Sequence, residues 1–286
     1  MKIMITGAAG QLARSLLKRG RSRDVLPFTS AELDIRDPIA VKRAITAVQP
    51  QIVINAAAYT AVDRAEEDES SAIAVNALGA QNIAEGVRAV GARMVQISTD
   101  FVFGGGHSSP IRPGEIPKPE SAYGRSKFAG ETAVSKILEP QSLLTLRTAW
   151  LYSSGPGNFV STMIRLMQER SEVRVVADQV GTPTWSVTLA DTVFELIDGG
   201  ACGTHHVTDA GVASWYDFAV AIRDLSAERG MLDGEVRVVP ISTADYPTPA
   251  KRPSYSVLDK TSLLATLGHG IPYWRDALGA CLDERS

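Results

Sequence analysis

Cysteine is scarce in this chain. Its 286 residues hold two, Cys202 and Cys281. Two thiols cannot build a disulfide framework, so a reducing, cytoplasmic setting is expected. Histidine is nearly as rare, and His107, His205, His206 and His269 show no Cys/His ligand spacing. That argues against a zinc site and leaves any other divalent ion open. No apolar run approaches the roughly 20 residues that span a bilayer, which removes a membrane partner. A formal net charge of -3 provides no basic field for nucleic acid. Internal repeats and low-complexity segments are absent too.

What remains is the composition of an ordinary globular protein, 44% hydrophobic and 21% charged. A chain of this length can bury a sizeable core as one large domain or as two lobes. Met1 to Gly7 is short, apolar and glycine-terminated, so it reads as a first strand and not as a cleaved signal. Thr6-Gly7-Ala8-Ala9-Gly10-Gln11-Leu12-Ala13 follows, with Leu12, Leu16 and Leu17 at helical spacing. Strand, glycine turn and helix form the setting of a dinucleotide fingerprint. Gly7 permits the tight turn, and Gly10 lets backbone N–H groups approach a pyrophosphate at the helix N-terminus. A plain strand-to-helix turn that needs glycine for its φ angles is the competing reading.

The second strand is expected at Val25–Phe28. An acidic residue just after it would bind a ribose 2′-hydroxyl and select NAD. Thr29 and Ser30 stand there instead, with Glu32 and Asp34 slightly later, so a 2′-phosphate need not be repelled and NADPH is favoured, with NADH still allowed. Gln51-Ile52-Val53-Ile54 is a continuous apolar run, as buried parallel strands are. It opens into Asn55-Ala56-Ala57-Ala58-Tyr59-Thr60, small residues over which a cofactor could lie. The next helix, about 70–90, carries Asn76, either a structural hydrogen-bond hub or a catalytic group. Met94–Ile97 delivers Ser98-Thr99-Asp100 to a strand end, where doubly wound sheets place their ligands. Residues 101–119 are rich in glycine and proline and read as an active-site loop.

Tyr123-Gly124-Arg125-Ser126-Lys127 comes next. Residues four apart on a helix share a face, so the Tyr123 hydroxyl and the Lys127 ammonium can address one point. An ammonium near a phenol is expected to lower its pKa, and a phenol so tuned can exchange a proton with a carbinol oxygen. A hydroxyl from Ser98 or Thr99 could bond the same oxygen. Spacing alone also fits an unremarkable surface pair. After Arg147-Thr148-Ala149-Trp150-Leu151-Tyr152 the pattern shifts. The expected fold is α/β, a doubly wound parallel Rossmann sheet with a smaller, discontinuous α+β lobe. Residues 1–152 and about 185–213 would form the dinucleotide-binding domain, and about 153–184 with 214–286 the substrate-binding lobe.

Taken in order, Thr6-Gly7-x-x-Gly10, Asn55-Ala56-Ala57, Ser98-Thr99-Asp100 and Tyr123-x-x-x-Lys127 resemble the extended short-chain dehydrogenases/reductases. Narrower markers are similar to the family of dTDP-4-dehydrorhamnose reductases. They are Gly10-Gln11-Leu12, Asn55 to Asp63, Ser98 to Phe103, Arg147 to Tyr152, Asp178-Gln179-x-Gly181-x-Pro183-Thr184 and Thr248 to Pro253. The resemblance implies an NAD(P)H-dependent reduction of a dTDP-4-keto-6-deoxy sugar at C4. It gives Tyr123 the role of proton donor, Lys127 a hold on the nicotinamide ribose, and Thr99 a hydrogen bond to the same oxygen. It puts Asp100 at the sugar and Trp150 as an apolar wall against it. Gly10, Gln11, Leu12, Thr29, Asp34, Ile35, Ala57, Ala58, Tyr59, Thr60 and Ser98 would line the cofactor. Lys251 or Arg252 would meet the nucleotide diphosphate, since guanidinium and phosphate pair bidentately. A homodimer is allowed.

Two departures qualify this. The family usually carries Tyr-Val-Phe followed by an acidic Asp-Gly pair, where this chain has Phe101-Val102-Phe103-Gly104-Gly105-Gly106. That leaves the identity of the hexulose open. Thr29 leaves the coenzyme preference open. The rivals are a related 4-ketoreductase acting on another deoxysugar, and a non-catalytic subunit of the same fold, as in a branch that regulates methionine adenosyltransferase. The intact Tyr123, Lys127 and Thr99 argue against the second.

Overall fold

The computed structural model describes residues 1–285. Five apolar segments become parallel strands: β1 (Lys2–Thr6), β2 (Asp24–Phe28), β3 (Ile52–Asn55), β4 (Arg93–Thr99) and β5 (Leu143–Thr148). A sixth strand, Gly203–His206, returns from the second half of the chain and pairs with β5 in parallel. The order across the sheet, starting from that strand, is then β5-β4-β3-β1-β2. This is the doubly wound Rossmann sheet expected from the sequence. β3 and β5 are buried along their whole length, as strands inside a parallel sheet are.

Helices cover both faces. α1 (Gln11–Arg19) packs with helix Ser186–Asp198 on one side through Leu12, Leu16, Leu189 and Val193. On the other lies α2 (Pro38–Val48), capped by Asp37 and carrying proline in its first turn. Two short helices, α3 (Val62–Glu67) and α4 (Glu69–Ile73), precede α5 (Ala80–Val90). The single helix expected over 70–90 is broken by a π-helical stretch, Ala74–Gly79, and Asn76 lies inside it. π-turns within helices gather at functional sites, and this one adjoins the cleft described below.

The smaller lobe has its own core. Helix Phe159–Glu169, helix Trp215–Glu228 and the C-terminal helix Trp274–Asp283 bury Met163, Phe218, Trp274 and Leu278 against the parallel pair Glu172–Val176 and Arg237–Ile241. The first two helices are capped by Asn158 and Ser214, each in a capping box. The lobe is not separate throughout 214–286, because Leu263 of helix Thr261–Leu267 is buried in the Rossmann core. Among the described residues no helix is long and apolar enough to cross a membrane.

Candidate active site

A cleft of about 1310 Å³ runs along the carboxyl ends of β1, β3, β4 and β5. Beneath it, Thr6 donates to Asn55 (2.8 Å) and Asn55 to Gln96 (2.9 Å), a buried row that holds the ends of β1, β3 and β4 level. At one end of the cleft lies the glycine turn. Gly7 has φ +72°, and a Cβ there would sit 2.6 Å from the Ala57 backbone. Only glycine fits a left-handed residue pressed against a neighbouring loop. Gly10 caps α1 without a side-chain acceptor, leaving first-turn N–H groups for an anion.

The opposite end is built on α6 (Ala122–Ile137). Ser121 caps it, accepting from Gly124 N at 3.1 Å, and Glu66 accepts from Ala122 N at 2.8 Å. Gly124 within the Tyr-Gly-Arg-Ser-Lys motif has a packing reason. A Cβ there would lie 2.2 Å from the Phe101 carbonyl oxygen, so the helix can approach the end of β4 only through glycine. Gly130 does the same against the Asn76 carbonyl. Asn76 itself accepts from Tyr59 N (2.9 Å) and donates to Tyr59 O (3.1 Å) and Ser126 Oγ (2.9 Å). Of its two sequence-level roles the structure supplies the hub, tying the loop after β3 to α6.

Tyr123, Lys127, Ser98, Thr99 and Asp100 all line the cleft. Tyr123 lies beside Thr99, whose hydroxyl acts on its phenol, and meets the edge of Phe101, ring centroids 5.5 Å apart. Thr99 also donates to Asp100 Oδ1 at 3.0 Å. Lys127 Nζ donates to the Ile97 carbonyl at 2.7 Å. Burial governs the charges here. It pushes the Tyr123 phenol up to about 12, against the pull of the Thr99 hydrogen bond, and the neighbouring Asp100 adds to the rise. It pushes Lys127 down to about 8 and Asp100 up to about 6. The expectation that Lys127 lowers the phenol pKa is therefore not met. Desolvation of the phenolate outweighs any help from an ammonium that is itself bound to a carbonyl.

The cofactor-side residues Gly7, Gly10, Gln11, Leu12, Asp34, Ile35, Ala57, Ala58, Tyr59 and Thr60 also line the cleft. Thr29 does not. Its N–H and hydroxyl are both held by Glu32 at 2.8 Å, and Ser30 and Arg36 line the cleft instead. Arg36 forms a bidentate pair with Asp34. Neither Lys251 nor Arg252 lines the cleft. Lys251 pairs with Glu120 at 2.8 Å, and Arg252 holds Asp63 through 3.0 and 2.8 Å bonds. Local sequence showed two cations near a Pro-rich strap but not the carboxylates that meet them.

Several lining residues went unread in the sequence. Ser153 Oγ donates to Gln11 Oε1 at 2.9 Å, and Ser154 to Asn158 close the same side. Their signal was a Ser-Ser-Gly-Pro-Gly loop directly after β5 and its short extension, a strand-end position. Thr148, paired in register with Thr99, lines the cleft as well. Tyr59 Oη, Ser98 Oγ, Asp100 Oδ2 and Thr148 Oγ1, all in residues that line this cleft, are buried polar atoms with no hydrogen-bond partner. Buried polar groups are normally satisfied, so this row calls for a polar ligand. A dinucleotide and a sugar fit the donor set. Among the described residues no group of three or more His, Cys, Asp or Glu is placed to hold a metal.

Comparison with known proteins gives a consistent picture. Residues 1–286 match the family model described as RmlD substrate binding domain. A dTDP-4-dehydrorhamnose reductase of Burkholderia thailandensis is 41% identical, covering 99% of each chain. A crystal structure of a dTDP-4-dehydrorhamnose reductase from Clostridium acetobutylicum superposes with a TM-score of 0.94 at 44% identity over 99% of both chains. One from Bacillus anthracis, in complex with NADP, gives 0.92 at 38% identity, covering 99% of this chain and 100% of that one.

Proposed function

The chain belongs to the RmlD substrate binding domain family, and on that premise we propose that it reduces the C4 keto group of dTDP-4-dehydrorhamnose to give dTDP-L-rhamnose, with NADPH as reductant and NADH as the competing coenzyme. The observation that carries the reading is the meeting of Tyr123 with Thr99 beside Lys127, at the sheet end of a cleft whose far end is the glycine turn.

In this reading the turn at Gly7 and Gly10, with Gln11 and Leu12, holds the pyrophosphate on the α1 N-terminus. Asp34, Ile35 and Arg36 take the adenosine end, and Ala57 to Thr60 lie under the middle. Lys127 holds the nicotinamide ribose. When bound, the dihydronicotinamide supplies the hydride to sugar C4. Thr99 and Tyr123 hydrogen-bond the C4 oxygen, and Tyr123 gives it the proton. A phenol held near pKa 12 remains protonated across the neutral range, which suits a group that must donate. Asp100 lies beside the sugar and Trp150 walls it. The free thiols Cys202 and Cys281 are in keeping with a reducing compartment.

The test is coenzyme oxidation with dTDP-4-keto-L-rhamnose, comparing NADPH with NADH, followed by identification of the product. Formation of dTDP-L-rhamnose supports the reading. Oxidation only with a different dTDP-keto sugar would move the chain to a sister activity, and no oxidation with any of them would end it.

A further inference from the structure

Trp150 lies in the left-handed region at φ +46°, a conformation that costs an aromatic residue energy and persists only where its surroundings impose it. Two sets of contacts do so. The Trp150 carbonyl accepts from Thr184 N at 3.2 Å, fixing the backbone where Leu151–Tyr152 pairs with Thr184–Trp185. The indole stacks on Trp215, ring centroids 3.6 Å apart and planes 8° from parallel. Its Cε2, Cζ2 and Nε1 edge lies against Gly181, so closely that a Cβ there would sit 2.7 Å away. Trp215 is in turn backed by Phe159 at 4.6 Å, and Phe159 stacks on Phe218 of the lobe core at 5.4 Å. Trp150 lines the cleft, whereas Trp215 and Gly181 do not.

We infer that Trp215 and Gly181 are positioning residues for sugar-nucleotide recognition, acting through Trp150. They clamp the indole on a face and an edge, so that the wall of the sugar pocket is set by the smaller lobe and not by the Rossmann domain that carries Trp150. The inference rests on the reading of Trp150 as that wall. Packing explains both ends of the clamp. The two indoles bury each other's faces, and glycine at 181 is the residue that leaves room for the ring. Trp215 is also the first residue of its helix, just after the Ser214 cap, so its backbone is held by a capping box whose Ser214 Oγ–Asp217 bond is 2.7 Å.

The experiment is a double-mutant cycle on steady-state kinetics, with coenzyme Kd followed in parallel. Trp215→Ala should raise KM for the dTDP-keto sugar about tenfold, leaving the coenzyme Kd within about twofold, and Trp215→Phe should restore most of the loss. Gly181→Ala, which pushes the indole from its edge and leaves the lobe core intact, should raise the same KM. The discriminating result is non-additivity. If Trp215 acts through Trp150, then Trp150→Ala/Trp215→Ala costs no more than Trp150→Ala alone. Additive losses, or a Trp215→Ala KM equal to that of the parent while Trp150→Ala raises it, overturn the clamp and leave the wall standing. An unchanged KM in Trp150→Ala removes the wall and the clamp together, while reduction of the sugar by the parent protein would still hold.

Discussion

Arg147 grips Glu131 through two hydrogen bonds of 3.0 and 2.7 Å, one helical turn beyond Lys127 on α6. Both side chains are buried. Arg147 also donates to the Pro113 carbonyl at 3.1 Å and lies over the Phe103 ring at 5.0 Å. One guanidinium thus joins β5, α6 and the loop that follows β4. Breaking it by Arg147→Met strands a buried carboxylate, at a cost of about 3–5 kcal/mol. Urea titration should show that loss. Arg147→Met/Glu131→Leu, which removes both charges, should recover much of it.

Tyr123→Phe removes the proposed proton donor and leaves the ring against Phe101. General acid help of this kind is worth ~10²–10⁴-fold, so turnover should drop by that factor. Coenzyme binding, measured by fluorescence titration, should stay nearly unchanged. A variant that still reduces the sugar at close to the parent rate would falsify the assignment.

The pH profile follows from Lys127. Burial pushes its ammonium down to about 8, and the Glu131 charge opposes the fall. The cation is present below that value and lost above it, whereas the Tyr123 phenol, near 12, keeps its proton throughout. Measured between about pH 7 and 10, above the range in which Asp100 titrates, kcat/KM for reduction should hold level and then decline above about 8. Lys127→Arg keeps its charge to higher pH, so any activity it retains should lose that decline.

Asp209 offers a stability test away from the chemistry. It is wholly buried and accepts from Trp185 N at 2.9 Å. Burial pushes its carboxyl up to about 7, with Trp185 N–H, the Thr188 hydroxyl and Lys260 pulling the other way. Tyr152 and Cys281 face it as well. Because the folded pKa exceeds the unfolded value near ~3.9, the native state holds the extra proton between the two. The associated stability is full below about 4 and is lost as pH rises through about 7. Asp209→Asn should therefore melt higher than the parent at about pH 8, by the equivalent of about 4 kcal/mol, and match it near pH 4. A melting difference that did not change with pH would refute the buried-charge account.

The sequence by itself determined the features set by neighbours along the chain. The strand-turn-helix at Gly7 and Gly10 was legible because glycine spacing and helical periodicity are local. So was the shared face of Tyr123 and Lys127, which four-residue spacing fixes once a helix forms. Strand ends could be located from apolar runs, and parallel α/β folds put ligands there. Only the tertiary structure decided matters that depend on distant partners. Lys251 and Arg252 are drawn to Glu120 and Asp63 and not to the cleft, because ion pairing across the fold leaves no periodic trace. The Tyr123 pKa rises where an adjacent ammonium suggested a fall, because desolvation depends on everything packed around the ring. Trp150 takes a left-handed backbone under a stacked indole 65 residues away in the chain; no propensity of residue 150 specifies that, and two lobes packing on each other do.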